Sequence, residues 1–461
     1  MRAGNGGRLP LEGVRVVSLE NIVQLPWTTM VLADMGAEVV RVESLSRLDT
    51  RRFRPFPEND PGQRFWDRSG WHHYSGRNKQ SVTLNLQQPD GLELLKRLIS
   101  LSDVLAENHR PDVLERLGLG CEVLRQVRPD LVVLRSSGFG QQGPWRQAGA
   151  FGRTVQPLSG LYDLAGFEAG GPVGVEDSYH DLLTGWNNAL AILMALHHRR
   201  RTGKGAMIDM SMFETGVNCI GPALLARQLG STLPGRMGNS HPHLAPHGCY
   251  PCRDQDTWVA IAVDGDAQWE GLCRALGRPE WAQDQRFEDP LSRWQHRHLL
   301  DSHLAGWTRQ RRNYEVMHLL QEHGVPAGPV TMARDLVTDP HLRERGFIQW
   351  FTHPPERAVG KRPYPGQPYR FSRARPEIRF VPSLGEHNKR VLGDLLGVAD
   401  SQLQAYHDEG LLGTTPQYED LQRPEPPSLD DQVDQEQLAF YDRGYRQLLG
   451  LDDPPASEGR A

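Results

Sequence analysis

Asp181 is the residue whose type and setting most suggest chemistry. It stands directly ahead of a long apolar stretch, Y-H-D-L-L-T-G-W-N-N-A-L-A-I-L-M-A-L-H-H-R-R-R-T-G-K-G from Tyr179 to Gly205. A carboxylate at a helix start feels the positive end of the macrodipole and unpaired backbone N–H groups, so it stays ionised. Held in a pocket, such a carboxylate is a nucleophile toward an activated acyl group. The same place also suits a plain helix cap, and spacing alone favours the cap.

A second constellation is H-P-H-L-A-P-H-G-C-Y-P-C, with His241, His243, His247, Cys249 and Cys252. Such donors hold zinc when two ligand knuckles converge. Only one C-x-x-C is present here, so no metal is expected. The dinucleotide fingerprint G-x-G-x-x-G is missing after the first strand, where E-N-I-V-Q-L-P-W stands instead. That removes the main support for a nicotinamide cofactor.

The elements that must position Asp181 read as α/β. Residues 14–19 and 37–43 are short apolar strands flanking a helix over 28–35 that ends at Gly36. A helix over 91–101 follows, then strands at 130–137 and 206–212. Strands alternating with helices argue for a parallel sheet with helices on its faces. Residues 151–180 are rich in glycine and read as an active-site loop. A strand at 258–263 and helices near 267–276 and 314–323 belong to a later region. The 461 residues suffice for two domains. Mean hydropathy is −0.55, and no apolar run reaches the ~20 residues that span a bilayer. Neither a membrane span nor a secretory signal is expected, and five cysteines suit a reducing compartment. Residues 414–461 hold eleven acidic residues and four arginines, a net of −7, and the rest carries about +2. No dense basic patch marks a nucleic-acid partner.

The Asp181 segment resembles the catalytic segment of the family III CoA-transferases, the CaiB/BaiF superfamily. The shared pattern is an Asp, a Gly four residues on, an Ala/Leu/Ile-rich helix, then R-x-T-G-x-G. Further stretches resemble the family's signatures in order. They are L-E-G-V-R-V-V-S-L-E-N at 11–21, M-V-L-A-D-M-G-A-E-V-V-R-V-E at 30–43, R-N-K-Q-S-V-T-L-N-L at 77–86 and E-N-H-R-P-D-V-L-E-R-L-G-L at 107–119. S-G-F-G-Q-Q-G-P at 137–144, H-G-V-P-A-G-P-V at 323–330 and L-G-E-H at 384–387 complete the series.

The resemblance implies that Asp181 is the nucleophile that carries CoA between carboxylic acids, with CoA thioesters as substrates and no permanently bound cofactor. It implies CoA contacts at Arg41 or Arg47, Asn108, His109 and Arg116, with Lys79 and Arg77 as additions. Leu84 and Leu117 fall where the family lines the adenine pocket, and plain core serves them equally well. Gln87 stands where some members carry a lysine for phosphate. Val23 and Gln24 become substrate contacts, with Leu25 where many relatives have a smaller turn. His243 or His247 would bear on the acyl group if their loop closes over it.

The implied architecture is a Rossmann-like large domain built from both ends of the chain plus a smaller α+β domain. Residues 9–224 form its first part, 225–330 the small domain, 331–413 the return, and 414–461 an acidic, proline-bearing, solvated tail. An interlocked homodimer in the cytoplasm is expected. Related α-methylacyl-CoA racemases use a His shortly after the S-G-x-G-x-x-G-P signature. Residues 147–154, Q-A-G-A-F-G-R-T, hold none, so racemase is the second reading and a non-catalytic CoA-binding subunit the third.

Overall fold

The computed structural model describes residues 9–175, 178–230, 235–417, 421–438 and 441–451. Six parallel strands form the main sheet: β1 (Arg15–Leu19), β2 (Glu38–Glu43), β3 (Gln80–Thr83), β4 (Val104–Glu107), β5 (Val132–Ser137) and β6 (Ala206–Ser211). Their order is β3-β2-β1-β4-β5-β6. Val, Leu and Ala fill the inner strands because a parallel sheet is buried on both faces. On one face Val17, Val40, Leu105 and Val133 pack with Leu94, Leu95, Leu98 and Ile99 of the helix Pro89–Ser100. On the other, Val16, Val39, Val104 and Val132 pack with helix α1 (Gln24–Asp34) and the long helix Tyr179–Thr202.

The chain order reverses between β1 and β4: β2 and β3 extend from β1 on one side, and β4, β5 and β6 on the other. In such open sheets the crevice outside the strands' carboxyl ends at this point is the usual ligand site. The long helix is the crossover from β5 to β6. Near its C-terminus Arg199 pairs with Asp103, just ahead of β4, so its N-terminus lies toward the strands' carboxyl ends. The later chain returns to the outer strand β3. The Thr83 N–H donates to Asn388 Oδ1 (2.9 Å) and the Asn85 N–H to the Leu411 carbonyl (2.8 Å), which covers that edge.

Among the described residues, 9–159, 178–219 and 337–451 form one compact unit, and 160–175 with 220–336 form the other. The second contains the antiparallel sheet β7 (His247–Pro251), β8 (Trp258–Ala262) and β9 (Ala327–Val330), in order β7-β8-β9. Its own core joins Val259 and Ile261 to Leu272, Leu300, Leu304 and Leu320. Two details differ from the sequence reading. The stretch read as one loop contains helices Gly152–Leu158 and Leu161–Leu164, and its residues 160–175 belong to the second unit.

The tail, expected as a solvated extension, has no buried residue among those described, and it also makes specific contacts. Its described parts carry the short helices Leu429–Asp434 and Tyr445–Leu449. Arg423 lies 3.3 Å from Asp60, Arg446 2.6 Å from Glu58, and the Asn59 amide donates to the Pro427 carbonyl at 2.6 Å. Two arginines scattered through an acidic stretch find carboxylates far away in sequence, which composition cannot reveal. Residues 418–420, 439–440 and 452–461 of that predicted tail lie outside the described residues.

Candidate active site

The turn between β1 and α1 lies at the switch point, and buried side chains hold it from several sides. Ile22 has a φ of 64°, a left-handed conformation that a β-branched residue adopts only under constraint. The Ile22 N–H donates to Asp49 Oδ1 at 3.2 Å, and the Asn21 N–H to Asn108 Oδ1 at 2.9 Å. Asn108 Nδ2 donates back to the Asn21 carbonyl at 2.8 Å. Asn108 follows β4, so this reciprocal pair bridges the carboxyl ends of the two strands that flank the crevice.

Glu20 and Lys79 complete the frame. The Lys79 ammonium donates to Glu20 Oε1 (2.8 Å) and to the Pro26 carbonyl in the first turn of α1 (2.9 Å). The other Glu20 oxygen accepts from the Thr29 hydroxyl. Around this pair, Arg41 and Arg51 meet Asp49 at 2.7 and 2.5 Å, and Arg52 meets Glu43 (2.9 Å) and Asp67 (3.2 Å). Four buried cations thus face four buried carboxylates. Burial disfavours the Glu20 anion, yet Lys79, Arg41 and Arg51 overcome it and hold its pKa down to about 2. Burial pulls Lys79 down to about 7 even against the attraction of Glu20.

Gly185 brings this turn to Asp181. A methyl at Gly185 would lie 3.0 Å from the Gln24 carbonyl oxygen and 2.9 Å from Trp27 Cδ1, so α1 and the long helix touch backbone to backbone. The Thr28 hydroxyl donates to the Gly185 carbonyl at 3.1 Å. Gln24 Nε2 donates to the Ser136 hydroxyl (2.7 Å), which donates to Asn188 Oδ1 (3.1 Å). Asp181 lies one turn before Gly185 on the same helix face, in the helix's first turn and only 7% exposed. Ser178 occupies the cap position, so Asp181 is inside the helix, not ahead of it. Its neighbour His180 is buried, places Nε2 3.1 Å from the Ser159 hydroxyl, and has its pKa lowered by burial.

A cavity of about 260 Å³ opens at the carboxyl ends of β1 and β2, lined among others by Asn21, Arg41, Arg47, Leu84, Gln87 and His109. The predicted contacts divide by exposure. Arg47 is exposed and makes no ion pair among the described residues. His109 is partly exposed, 3.5 Å from Glu107. Arg41 is committed to Glu20, Glu43 and Asp49, Lys79 is fully buried on Glu20, and Arg77 is buried on Asp34 at 2.7 Å. Leu84 belongs to the core and also lines the cavity. Leu117 packs on that core, and Arg116 is exposed outside the cavity lining. Val23 and Gln24 open α1. His243 and His247 belong to the second unit, where the His241 ring lies 6.0 and 5.3 Å from theirs. No group of three or more His, Cys, Asp or Glu among the described residues is arranged to hold a metal.

Sequence reasoning missed Asp49 and Glu20. Asp49 sits in S-L-S-R-L-D-T-R-R, which reads as an exposed charged stretch, and nothing local betrays its partners. Glu20 gave one signal, a carboxylate directly after an apolar strand.

A family model described as CoA-transferase family III matches residues 11–388. The chain is 34% identical to succinyl-CoA–D-citramalate CoA-transferase of Chloroflexus aurantiacus, over 86% of this chain and 96% of that protein. It is 30% identical to succinate–glutarate CoA-transferase of Agrobacterium fabrum, over 84% and 96%. It is 29% identical to formyl-CoA:oxalate CoA-transferase of Rhodopseudomonas palustris, over 87% and 97%. A crystal structure of a CaiB/BaiF family protein from Brucella suis superposes with a TM-score of 0.75 at 32% identity, covering 84% of this chain and all of that one. With the strand order, the held turn and the Asp181 helix, these matches establish that the chain belongs to CoA-transferase family III.

Proposed function

We propose that this enzyme moves CoA from an acyl-CoA to a carboxylic acid, with Asp181 as the nucleophile. The observation that carries the reading is the placement of Asp181. It is a nearly buried carboxylate in the first turn of a 24-residue helix, one turn from the contact with the Val23–Gln24 turn. The carboxylate attacks the thioester carbonyl, the C–S bond breaks, and CoA leaves as thiolate with a mixed anhydride behind it. The thiolate attacks the aspartyl carbonyl, releasing the donor acid and leaving aspartyl-CoA. The acceptor carboxylate then attacks aspartyl-CoA, and the returning thiolate takes the acceptor's acyl group and frees Asp181. A carboxylate is a nucleophile at neutral pH without a strong base, so the protein supplies position and hydrogen-bond donors to the oxyanions.

The 260 Å³ cavity is the proposed seat of the nucleotide part of CoA. Arg47 and His109 face its phosphates, and Asn108 holds Asn21, one of the residues that line it. Val23 and Gln24 are the proposed contacts to the acyl end. A homodimer agrees with Leu190, Leu193 and Met194, which leave the long helix 54%, 40% and 58% exposed. Among the described residues no helix is long and apolar enough to cross a membrane. The five free thiols suit a cytoplasmic setting.

Succinyl-CoA is the first donor to test, because two of the relatives carry succinate in their names. Incubation followed by mass spectrometry of the Asp181 peptide should show a CoA or succinyl adduct that Asp181→Ala abolishes. A transfer reaction that survives Asp181→Ala would sink the assignment.

A further inference from the structure

The fully buried Lys79 was expected to meet CoA, but its hydrogen bonds go elsewhere. They run to Glu20, the residue just after β1, and to the Pro26 carbonyl, which belongs to the first turn of α1. Lys79 is thus a bridge across the segment 21–25. That segment contains the strained Ile22 and the Val23–Gln24 pair, and it meets the long helix at Gly185. A left-handed β-branched residue holds its conformation only where the surroundings over-determine it. The Lys79 bridge ties the two ends of that segment, while Asp49 and Asn108 tie its middle.

We infer that Lys79 is a positioning residue, whose ammonium fixes the Glu20–Pro26 span and thereby the geometry of the turn facing Asp181. The inference rests on the proposed role of Asp181. The groups around Lys79 are Glu20, which attracts its proton, and Arg41 and Arg51, which repel it; the Pro26 carbonyl accepts from it. Loss of the proton removes the charge from the bridge and leaves Glu20 to the two arginines. The neutral amine still donates, but without charge assistance, so the bridge weakens as pH rises through about 7. The sign separates this from unfolding. The lysine's folded pKa lies below its unfolded value of 10.5, so raising pH from 7 to 10.5 favours the folded chain at this group. A decline in activity over that window that follows Lys79 is a local event.

The test uses the full-length protein with Lys79→Met and Lys79→Arg, read in two ways. Hydrogen exchange of the peptide covering residues 20–30, corrected for intrinsic rate, should be at least about tenfold faster in Lys79→Met. Peptides from β4 and β5 should stay unchanged, which separates local loosening from failure to fold. Aspartyl adduct formation should slow about 100-fold at saturating acyl-CoA with KM within about threefold, as expected when reacting groups are displaced rather than binding lost. Wild type should lose turn protection and adduct rate above about pH 7, and Lys79→Arg should keep both to higher pH. Unchanged exchange at residues 20–30 in Lys79→Met, or the same alkaline decline in Lys79→Arg, would overturn the inference. Because exchange needs no turnover, a wild type that forms no adduct would count against Asp181 as nucleophile and leave the Lys79 measurement intact.

Discussion

The Asn108 carboxamide and the Asn21 backbone exchange two hydrogen bonds, 2.9 Å into Oδ1 and 2.8 Å out of Nδ2. A side chain in the crevice wall thereby locks the turn after β1 to the end of β4. Asn108→Asp keeps the acceptor but replaces the donor with a charge aimed at a carbonyl. Each lost hydrogen bond is worth about 1 kcal/mol, and the turn holds a strained residue. The expected outcome is a fall in kcat of about 10- to 100-fold, exceeding any rise in KM for acyl-CoA. A steady-state comparison in which only KM changes would assign Asn108 to CoA binding alone.

Gly185 permits a close backbone approach between α1 and the long helix. In Gly185→Ala the new methyl meets the Gln24 carbonyl at 3.0 Å and Trp27 at 2.9 Å, and a backbone oxygen cannot swing away. Overpacking of this kind costs about 1–3 kcal/mol. The melting temperature should fall by several degrees and adduct formation at Asp181 should slow. Gly306→Ala serves as the control. It lies in the helix Arg297–Thr308 with nothing within 4 Å of its added methyl, so Ala there should be neutral or stabilising by up to about 1 kcal/mol. Equal melting temperatures for the two variants would refute the close-contact argument.

The strands at 14–19, 37–43, 130–137, 206–212 and 258–263 were legible because apolar runs between turns carry their own signal. The crossover helix was legible for the same reason, although Asp181 turned out to sit inside its first turn. The framework around the site was not. Glu20 meets Lys79 across 59 positions, Asn21 meets Asn108 across 87, and Gln24 meets Ser136 across 112. Such pairs exist only once the sheet has formed. The absence of G-x-G-x-x-G pointed away from a dinucleotide site, yet the strand order is the one that fingerprint accompanies. Here a glycine-free turn does the same topological job, with Ile22 in the left-handed region and Asp49, Asn108 and Lys79 as its supports. Conversely, Lys79 and Arg77 looked like ligand cations only because sequence does not show which lysines and arginines are buried on carboxylates.

Acid should destabilise the fold in two stages. Burial holds His73 down to about 4 and His353 to about 3, both below the unfolded value of 6.5. Their folded forms are neutral, so their stability contribution is complete above pH 6.5 and is lost as pH falls toward 4. Glu20 and Asp49, held to about 2 against unfolded values of 4.5 and 3.8, add a second loss from about pH 5 downward. The melting temperature should fall in both windows as pH drops below 6.5, apart from the rise that Lys79 adds above about pH 7. Tyr364 links the two histidines, 3.1 Å from His73 Nδ1 and 2.8 Å from His353 Nε2, so Tyr364→Phe should lower the melting temperature throughout. A level profile from pH 7 to 4 would contradict the buried neutral histidines.

Arg47 is the cation best placed to read a CoA phosphate, because it lines the cavity while Arg41 is tied to three carboxylates. A free guanidinium forms charge-assisted hydrogen bonds with phosphate that are lost outright on truncation. Arg47→Ala should raise KM for the acyl-CoA about tenfold at low salt with kcat unchanged, the pattern of an interaction made equally in ground and transition states. The chemical half of a double-mutant cycle is the same thioester made on dephospho-CoA, which lacks the 3′-phosphate. If Arg47 meets that phosphate, wild type and Arg47→Ala should handle the dephospho substrate alike, and the coupling between the two changes should approach the full effect of either. Additive effects would place Arg47 on the pyrophosphate instead. Arg41→Ala should behave differently. It leaves Asp49 and Glu20 short of a buried partner, so its first effect should be a lower melting temperature rather than a selective rise in KM.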